Sequence, residues 1–354
     1  MNRSFALGAS ALALVIAAGA ARADVVVSYG PGTSPVVRTF TPRGDEVGGF
    51  EAYDRGFAGG VRVATGDVTG DGTPDVITVA GPGGNGHVKV FDGNTGAEVR
   101  SFFAFDGFVG GVQVAAGDVN GDGTDDIITG AGGGGAAGGH VKVFSGATGA
   151  EIRSFFAFPG FVGGVTVAAG DVTGDGKADI ITGAGPGAPG GHVKVFDGVS
   201  GAQVRSFFAF GGFDGGVSVA AGDLDGDGLN ELVVGAASLA SHVKVFDGAS
   251  LTERASFLAF EGFNGGLSLA VGDVDSDGRS DLLAGALSGE ALVNVFSASL
   301  RARGPDDPFI FLQPYSFLAA PPGFDGGVYV AAIPAPAVGG LAAVGLALAA
   351  RRRR

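Results

Sequence analysis

One thirteen-residue stretch returns five times along the chain. It reads GDVTGDGTPDVIT at 66–78, GDVNGDGTDDIIT at 117–129, GDVTGDGKADIIT at 170–182, GDLDGDGLNELVV at 222–234 and GDVDSDGRSDLLA at 272–284. Counted from its first acid, every copy has an acid at position 1, an oxygen-bearing side chain at 3, an acid at 5, Gly at 6 and an acid at 9. Position 1 falls at Asp67, Asp118, Asp171, Asp223 and Asp273, at intervals of 51, 53, 52 and 50 residues. A fixed period of this size means one supersecondary unit stacked on copies of itself. The length of 354 residues agrees, since a single core stops growing near roughly 250–300 residues.

Each unit holds four candidate strands, which in the second unit are 111–116, 126–130, 140–144 and 151–158. The connections are rich in Gly, and nothing between the two ends of the chain has a helical period. Four short strands in about 50 residues is the pattern of a β-propeller blade. Blades pack face to face, which accounts for the apolar runs Ile-Ile, Phe-Phe and Val-Ala-Ala in place of strict alternation. The pairs Phe102–Phe103, Phe155–Phe156 and Phe207–Phe208 are therefore expected to pack between blades.

The remaining segments complete the ring. DVVVSYG at 24–30 matches a second strand, VVRTF at 36–40 a third, and FDGGVYVAA at 324–332 a lone first strand. The expected fold is all-β: a six-bladed β-propeller of four-stranded blades over 24–332, with repeats from about 57, 108, 161, 213 and 263. Its closing blade is composite, with its first strand from 324–332 and the other three from 24–56. Such closure leaves no open seam in the ring.

The two ends read as targeting segments. Residues 1–23 combine a basic start, an apolar run and an Ala-Arg-Ala cleavage site, the pattern of a secretory signal peptide. Residues 333–354 combine a short Pro motif, an apolar stretch and four terminal Arg, too short to span a membrane comfortably. The order resembles the PEP-CTERM sorting signal, with Ala335 where that signal has Glu. The resemblance implies release by a sorting protease of the exosortase type to the cell surface or the extracellular matrix of a Gram-negative bacterium. Only the tail would touch the membrane, and only transiently.

Charge and chemistry narrow the function. The chain has no Cys, so it has neither a disulfide framework nor a thiolate metal site. Its net charge is −14, and the stretch between the two end segments holds 16 basic and 36 acidic residues. That balance disfavours nucleic acid and anionic lipid as partners. Acids at alternate positions before a tight Gly turn suit a hard cation, since Ca²⁺ takes six to eight oxygens at about 2.3–2.6 Å. An EF-hand needs Glu at position 12 and flanking helices, whereas position 12 here is Thr78 or Thr129 inside a β run. The nine-residue calcium repeat is excluded by spacing.

The DxDGDGxxD loop, the Gly107–Phe108 and 183–186 segments and the period together resemble FG-GAP/VCBS repeats, the blades of integrin α-chain propellers and of many secreted bacterial proteins. The resemblance implies about five calcium ions. The first would be held by Asp67, Thr69, Asp71, the Thr73 carbonyl and Asp75, and the second by Asp118, Asn120, Asp122, the Thr124 carbonyl and Asp126. The third would use Asp171, Thr173, Asp175, the Lys177 carbonyl and Asp179. The fourth would use Asp223, Asp225, Asp227, the Leu229 carbonyl and Glu231, and the fifth Asp273, Asp275, Asp277, the Arg279 carbonyl and Asp281. Sites four and five carry four acids each and are expected to fill first.

No catalytic set stands out from the repeat. His87, His140, His192 and His242 all open a third strand, where the other two blades have Val36 and Leu292, so packing is the expected role. Lys89, Lys142, Lys194 and Lys244 follow two residues later and are expected to face solvent or pair with a loop acid. The expected function is a non-enzymatic binding or scaffold module, with an extracellular polysaccharide or a surface protein as partner. Two alternatives stand beside it. One is a polysaccharide-cleaving enzyme using the least repetitive segments, 38–55 and 306–315. The other is a purely structural matrix protein.

Overall fold

The computed structural model describes residues 24–133, 139–299, 309–321 and 323–333. The expected signal peptide lies outside these, as does the tail beyond Ile333. Alternating and continuous apolar runs become 24 strands, and no helix occurs among the described residues. None is therefore long and apolar enough to cross a membrane. The strands form six four-stranded antiparallel sheets. In the first full blade the strands are Val61–Gly66, Asp75–Ala80, His87–Phe91 and Glu98–Phe103. The first hairpin is in register from Val61↔Ala80 to Gly66↔Asp75, so the acid at loop position 9 opens the second strand.

The composite blade joins Val328–Ile333 to Asp24–Tyr29, then Val36–Phe40 and Glu46–Glu51. Asp24 pairs with Ile333, so the last strand extends one residue past 332. Inner strands of neighbouring blades pack against one another around the whole ring. Second strands are buried at every residue, because a blade covers them on each side. Each hydrophobic cluster spans two blades; one, for example, joins Val88, Val90 and Phe105 to Val112, Ile127 and Phe144 of the next blade.

The outer strands depart from the expectation of two buried faces. Phe102, Phe155 and Phe207 do pack on the following blade, with ring centroids 4.7, 4.7 and 5.0 Å from Phe144, Phe196 and Phe246. Their neighbours Phe103, Phe156 and Phe208 are 53%, 48% and 60% exposed. The blades diverge outward from the axis, so only one face of each fourth strand meets a neighbour. The exposed Phe rings lie against His87, His140 and His192, whose Nε2 atoms hydrogen-bond Ser101, Ser154 and Ser206 at 2.8, 2.7 and 2.9 Å. The packing role expected for His is thus met. The Lys residues pair with an acid of the adjacent strand instead of a loop: Lys89–Glu98, Lys142–Glu151 and Lys244–Glu253 at 2.7, 2.8 and 2.7 Å. In the third full blade Gln203 stands where those blades have Glu, and Lys194 donates instead to the Ala157 carbonyl.

Candidate metal centres

All five acidic loops join first to second strands at one end of the ring. In each loop the position-1 carboxylate accepts backbone N–H groups from further along the same loop. Asp67 accepts from Gly70, Asp71 and Gly72 at 2.7, 3.0 and 2.8 Å. The same three-bond pattern recurs at Asp118, Asp171 and Asp223. At Asp273 the bonds come from Ser276 and Gly278. Position 5 accepts the N–H of position 7, as Asp71 does from Thr73 at 2.8 Å.

Position 9 is the buried member. Asp75, Asp126, Asp179, Glu231 and Asp281 are at most 2% exposed. Asp75 accepts from the N–H groups of Val68, Thr69 and Gly93 at 3.0, 2.9 and 2.9 Å, which ties loop, first hairpin and following turn to one carboxylate. Burial pushes all five carboxyls up: Asp126 and Asp281 to about 6, Glu231 to about 8, and Asp75 and Asp179 in the same direction. Neighbouring acids of the loop add to the rise at Glu231.

The loops are also chained to one another. The position-8 N–H groups of Asp125, Ala178, Asn230 and Ser280 each donate, at 2.9 Å, to the position-1 carbonyl of the preceding loop. Position-7 side chains lean on position 4 of that loop. A Cβ added at Gly70, Gly121, Gly174 or Gly226 would meet Thr124, Lys177, Leu229 or Arg279 at 3.1, 2.6, 3.1 and 3.3 Å. These glycines also have φ near +80°. In the fifth loop position 4 is Ser276, at φ +65°. The five loops therefore form one hydrogen-bonded arc across five blades.

The donor set fits a calcium ion best at the last two loops. Carboxylate oxygens of Asp223, Asp225 and Glu231 lie within 4.8 Å of one another, as do those of Asp273, Asp275 and Asp281. Oxygens around one Ca²⁺ stand at most about 5 Å apart, and three like charges this close repel without a cation. Positions 1, 3 and 9 are thus brought together. Asp227 and Asp277, at position 5, lie outside those groups and accept the N–H of Leu229 and Arg279. Loop one offers Asp67, Thr69 and Asp75, and the solvent-shielded Thr69 Oγ1 has no hydrogen-bond partner of ordinary length. Its counterpart Thr173 Oγ1 stands 3.5 Å from Asp179 Oδ1. In loop two Asn120 donates to Asp126 through Nδ2 at 3.2 Å.

Two nearby residues lie outside the sequence-predicted sets. Ser297 Oγ sits 2.6 Å from Asp281 Oδ1 and 3.2 Å from Asp275 Oδ2, on the strand Leu292–Ser299, which only the folded hairpin brings to the loop. Arg254, 2% exposed, places Nη2 3.6 Å from Asp225 and Nη1 3.5 Å from Asp247, with Cζ 4.6 Å from the Phe309 ring centre. A sequence signal existed for it, because the first three full repeats have Val99, Ile152 and Val204 there. The segments named for an enzymatic alternative hold surface ion pairs, Arg38–Glu46 at 2.5 Å and Arg55–Glu51 at 2.7 Å; residues 306–308 lie outside the described residues.

A direct test separates the roles of positions 9 and 5. Asp75→Ala strands buried N–H donors and should lower unfolding free energy by roughly 2–5 kcal/mol in EDTA. Asp71→Ala, at an exposed residue, should cost no more than about 1 kcal/mol in EDTA and more in calcium. Urea unfolding in both buffers measures this. Equal costs for Asp71→Ala in the two buffers would remove position 5 from the ligand set.

Comparison with known proteins places the repeat. Residues 67–129 match the FG-GAP-like repeat, and residues 163–196 and 215–248 match the FG-GAP repeat. No curated protein matches the chain. A protein of unknown function from Bacteroides caccae has a crystal structure similar at a TM-score of 0.50, over 88% of this chain and 98% of that one. Its identity of 10% makes this a likeness of fold alone. Three stretches of the chain thus match FG-GAP repeats, and the whole folds as a six-bladed propeller, a fold suited to a binding or scaffold module.

Proposed function

We propose that this is an exported propeller whose acidic loops take up calcium as structural ions, leaving the opposite end of the ring for ligand. The observation that carries this reading is the arc: five loops stitched by backbone hydrogen bonds, each with a buried carboxylate at its centre. Calcium bound there neutralises like charges held a few ångströms apart and fixes each loop at the base of its first hairpin, while the backbone hydrogen bonds tie that loop to the next blade. The FG-GAP repeats and the resemblance of the two ends to secretion and sorting signals support a place at the cell surface or in a polysaccharide matrix.

Calcium titration by calorimetry tests the clamp. Site five should fill first, because Asp273, Asp275, Asp277 and Asp281 have no buried cation beside them. Site four has the same number of acids but already faces Arg254 at 3.6 Å from Asp225. The order expected from acid count alone, four and five together, is refined accordingly. Asp273→Asn should remove the tightest binding event. Survival of that event in this variant would reassign it. Retention of the purified protein by matrix polysaccharide, with and without EDTA, tests the module. Retention in neither condition would favour the purely structural alternative.

A further inference from the structure

We propose that the axial cavity of the ring is a binding site for a hydroxylated monocarboxylate, such as a sugar acid, with Arg62 as its anchor. The inference rests on the binding-module reading and names the ligand chemistry it would use. The cavity holds about 240 Å³ and is lined by the first strands of all six blades. Those strands read VRVATG, VQVAAG, VTVAAG, VSVAAG, LSLAVG and VYVAAI. Most positions nearly repeat. The second does not, and it supplies Arg62, Gln113, Thr166, Ser218, Ser268 and Tyr329 to the cavity wall.

The three small hydroxyls are used up in the wall. Thr166 donates to the Val217 carbonyl at 2.8 Å, Ser268 to the Val328 carbonyl at 2.8 Å and Ser218 to the Gly235 carbonyl at 3.3 Å. Arg62, Gln113 and Tyr329, on three successive blades, make no side-chain hydrogen bond to a described residue, and no described carboxylate pairs with Arg62. Arg62 Nε is also shielded from solvent. The guanidinium is held in place all the same. Its Cζ lies 4.9 Å from the Tyr329 ring centre on one side. Gly111 lies against it, where an added Cβ would come within 2.8 Å of both Nη atoms. The equivalent glycines 60, 164, 216, 266 and 327 have φ between +70° and +86°, whereas Gly111 does not adopt that conformation. The backbone thus departs from the repeat at the residue that makes room for the guanidinium.

A guanidinium stays charged at every accessible pH and is costly to hold in a partly enclosed cavity without a counter-ion. Its planar fork matches a carboxylate in two parallel hydrogen bonds. One cation beside neutral Gln113 and Tyr329 balances one negative charge, which favours a carboxylate over a dianionic phosphate or sulfate. The carboxamide and the phenol then offer donors and acceptors to hydroxyls of the same ligand. Arg62 sits near the start of its strand, away from the acidic loops, where Gly132, Gly133 and Gly185 form part of the cavity lining.

Calorimetric titration of the full chain in calcium buffer with glucuronate, glucose, sulfate and phosphate tests the site. Glucuronate should bind, glucose should not, and sulfate and phosphate should bind at least tenfold more weakly. Arg62→Gln should weaken glucuronate about tenfold or more, with an unchanged melting temperature. Gln113→Leu should weaken it less and serves if Arg62→Gln does not fold. Absence of glucuronate binding, equal binding by the variants, or preference for phosphate or sulfate would overturn the proposal. Loss of glucuronate binding with polysaccharide retention intact removes the axial site alone. The reverse result removes the matrix-binding reading and keeps the site.

Discussion

A chain ending at residue 327 should fail to close the ring, whereas one ending at Ile333 should unfold as cooperatively as the full chain. The last strand contributes Val328, Val330, Ala331, Ala332 and Ile333, all at most 5% exposed, to clusters on both sides of the composite blade. At about 1.5–3 kcal/mol for each large apolar side chain, its burial stabilises the fold by roughly 8 kcal/mol. Net stabilities of folded proteins are only about 5–15 kcal/mol. Loss of the strand also strips six paired residues from Asp24–Tyr29 and leaves that buried strand as an open edge. The neighbouring inner strands lose partners too, since Ser268 donates to Val328 and Thr65 to Ala332. Circular dichroism melting and size-exclusion chromatography of the two truncations measure the effect. A melting temperature for the 327-residue chain within a few degrees of the 333-residue one would refute closure by the C-terminal strand.

How much of this was legible in the residues follows from what repetition can and cannot show. Five acidic loops at a constant period disclosed blades, their number and the composite closure, because each unit must bury the same faces against its neighbours. The loop acids were legible for the same reason. What repetition hides is whatever depends on the ring itself. The links from Asp125, Ala178, Asn230 and Ser280 to the preceding loop join residues more than 50 positions apart, and no local pattern marks them. The exposure of Phe103 beside the buried Phe102 depends on how far blades diverge from the axis, which sequence does not carry. Ser297 reaches Asp281 only once their hairpin has closed in register, with Leu282 opposite Phe296. The axial residues were visible as the one variable position in a repeated strand. They could be recognised as a group only once the six strands faced a common cavity.

Without bound cation, stability should fall steadily as pH rises from about 5 to 8, and calcium should raise the melting temperature more at pH 8 than at pH 5. In the unfolded chain the five position-9 carboxyls titrate near pH 4. In the folded chain burial pushes them up, to about 6 at Asp126 and Asp281 and about 8 at Glu231. Between these values the folded chain binds more protons than the unfolded one, so stability declines with rising pH. Below pH 4 both states are protonated and the effect vanishes; above 8 the full cost of burying charge is present. A cation reverses the cost by pairing with the ionised form, so its stabilising effect grows across the same window. Melting curves in EDTA and in calcium at pH 5, 6, 7 and 8 show the divergence. Repulsion among the many acids elsewhere acts in the same direction, so a second chain separates the two. Glu231→Gln removes the group that titrates highest and should flatten the EDTA curve between pH 7 and 8 while leaving its slope near pH 6, where Asp126 and Asp281 titrate. An unchanged slope between pH 7 and 8 in that variant would assign the pH dependence to general charge repulsion and not to the buried acids of the arc.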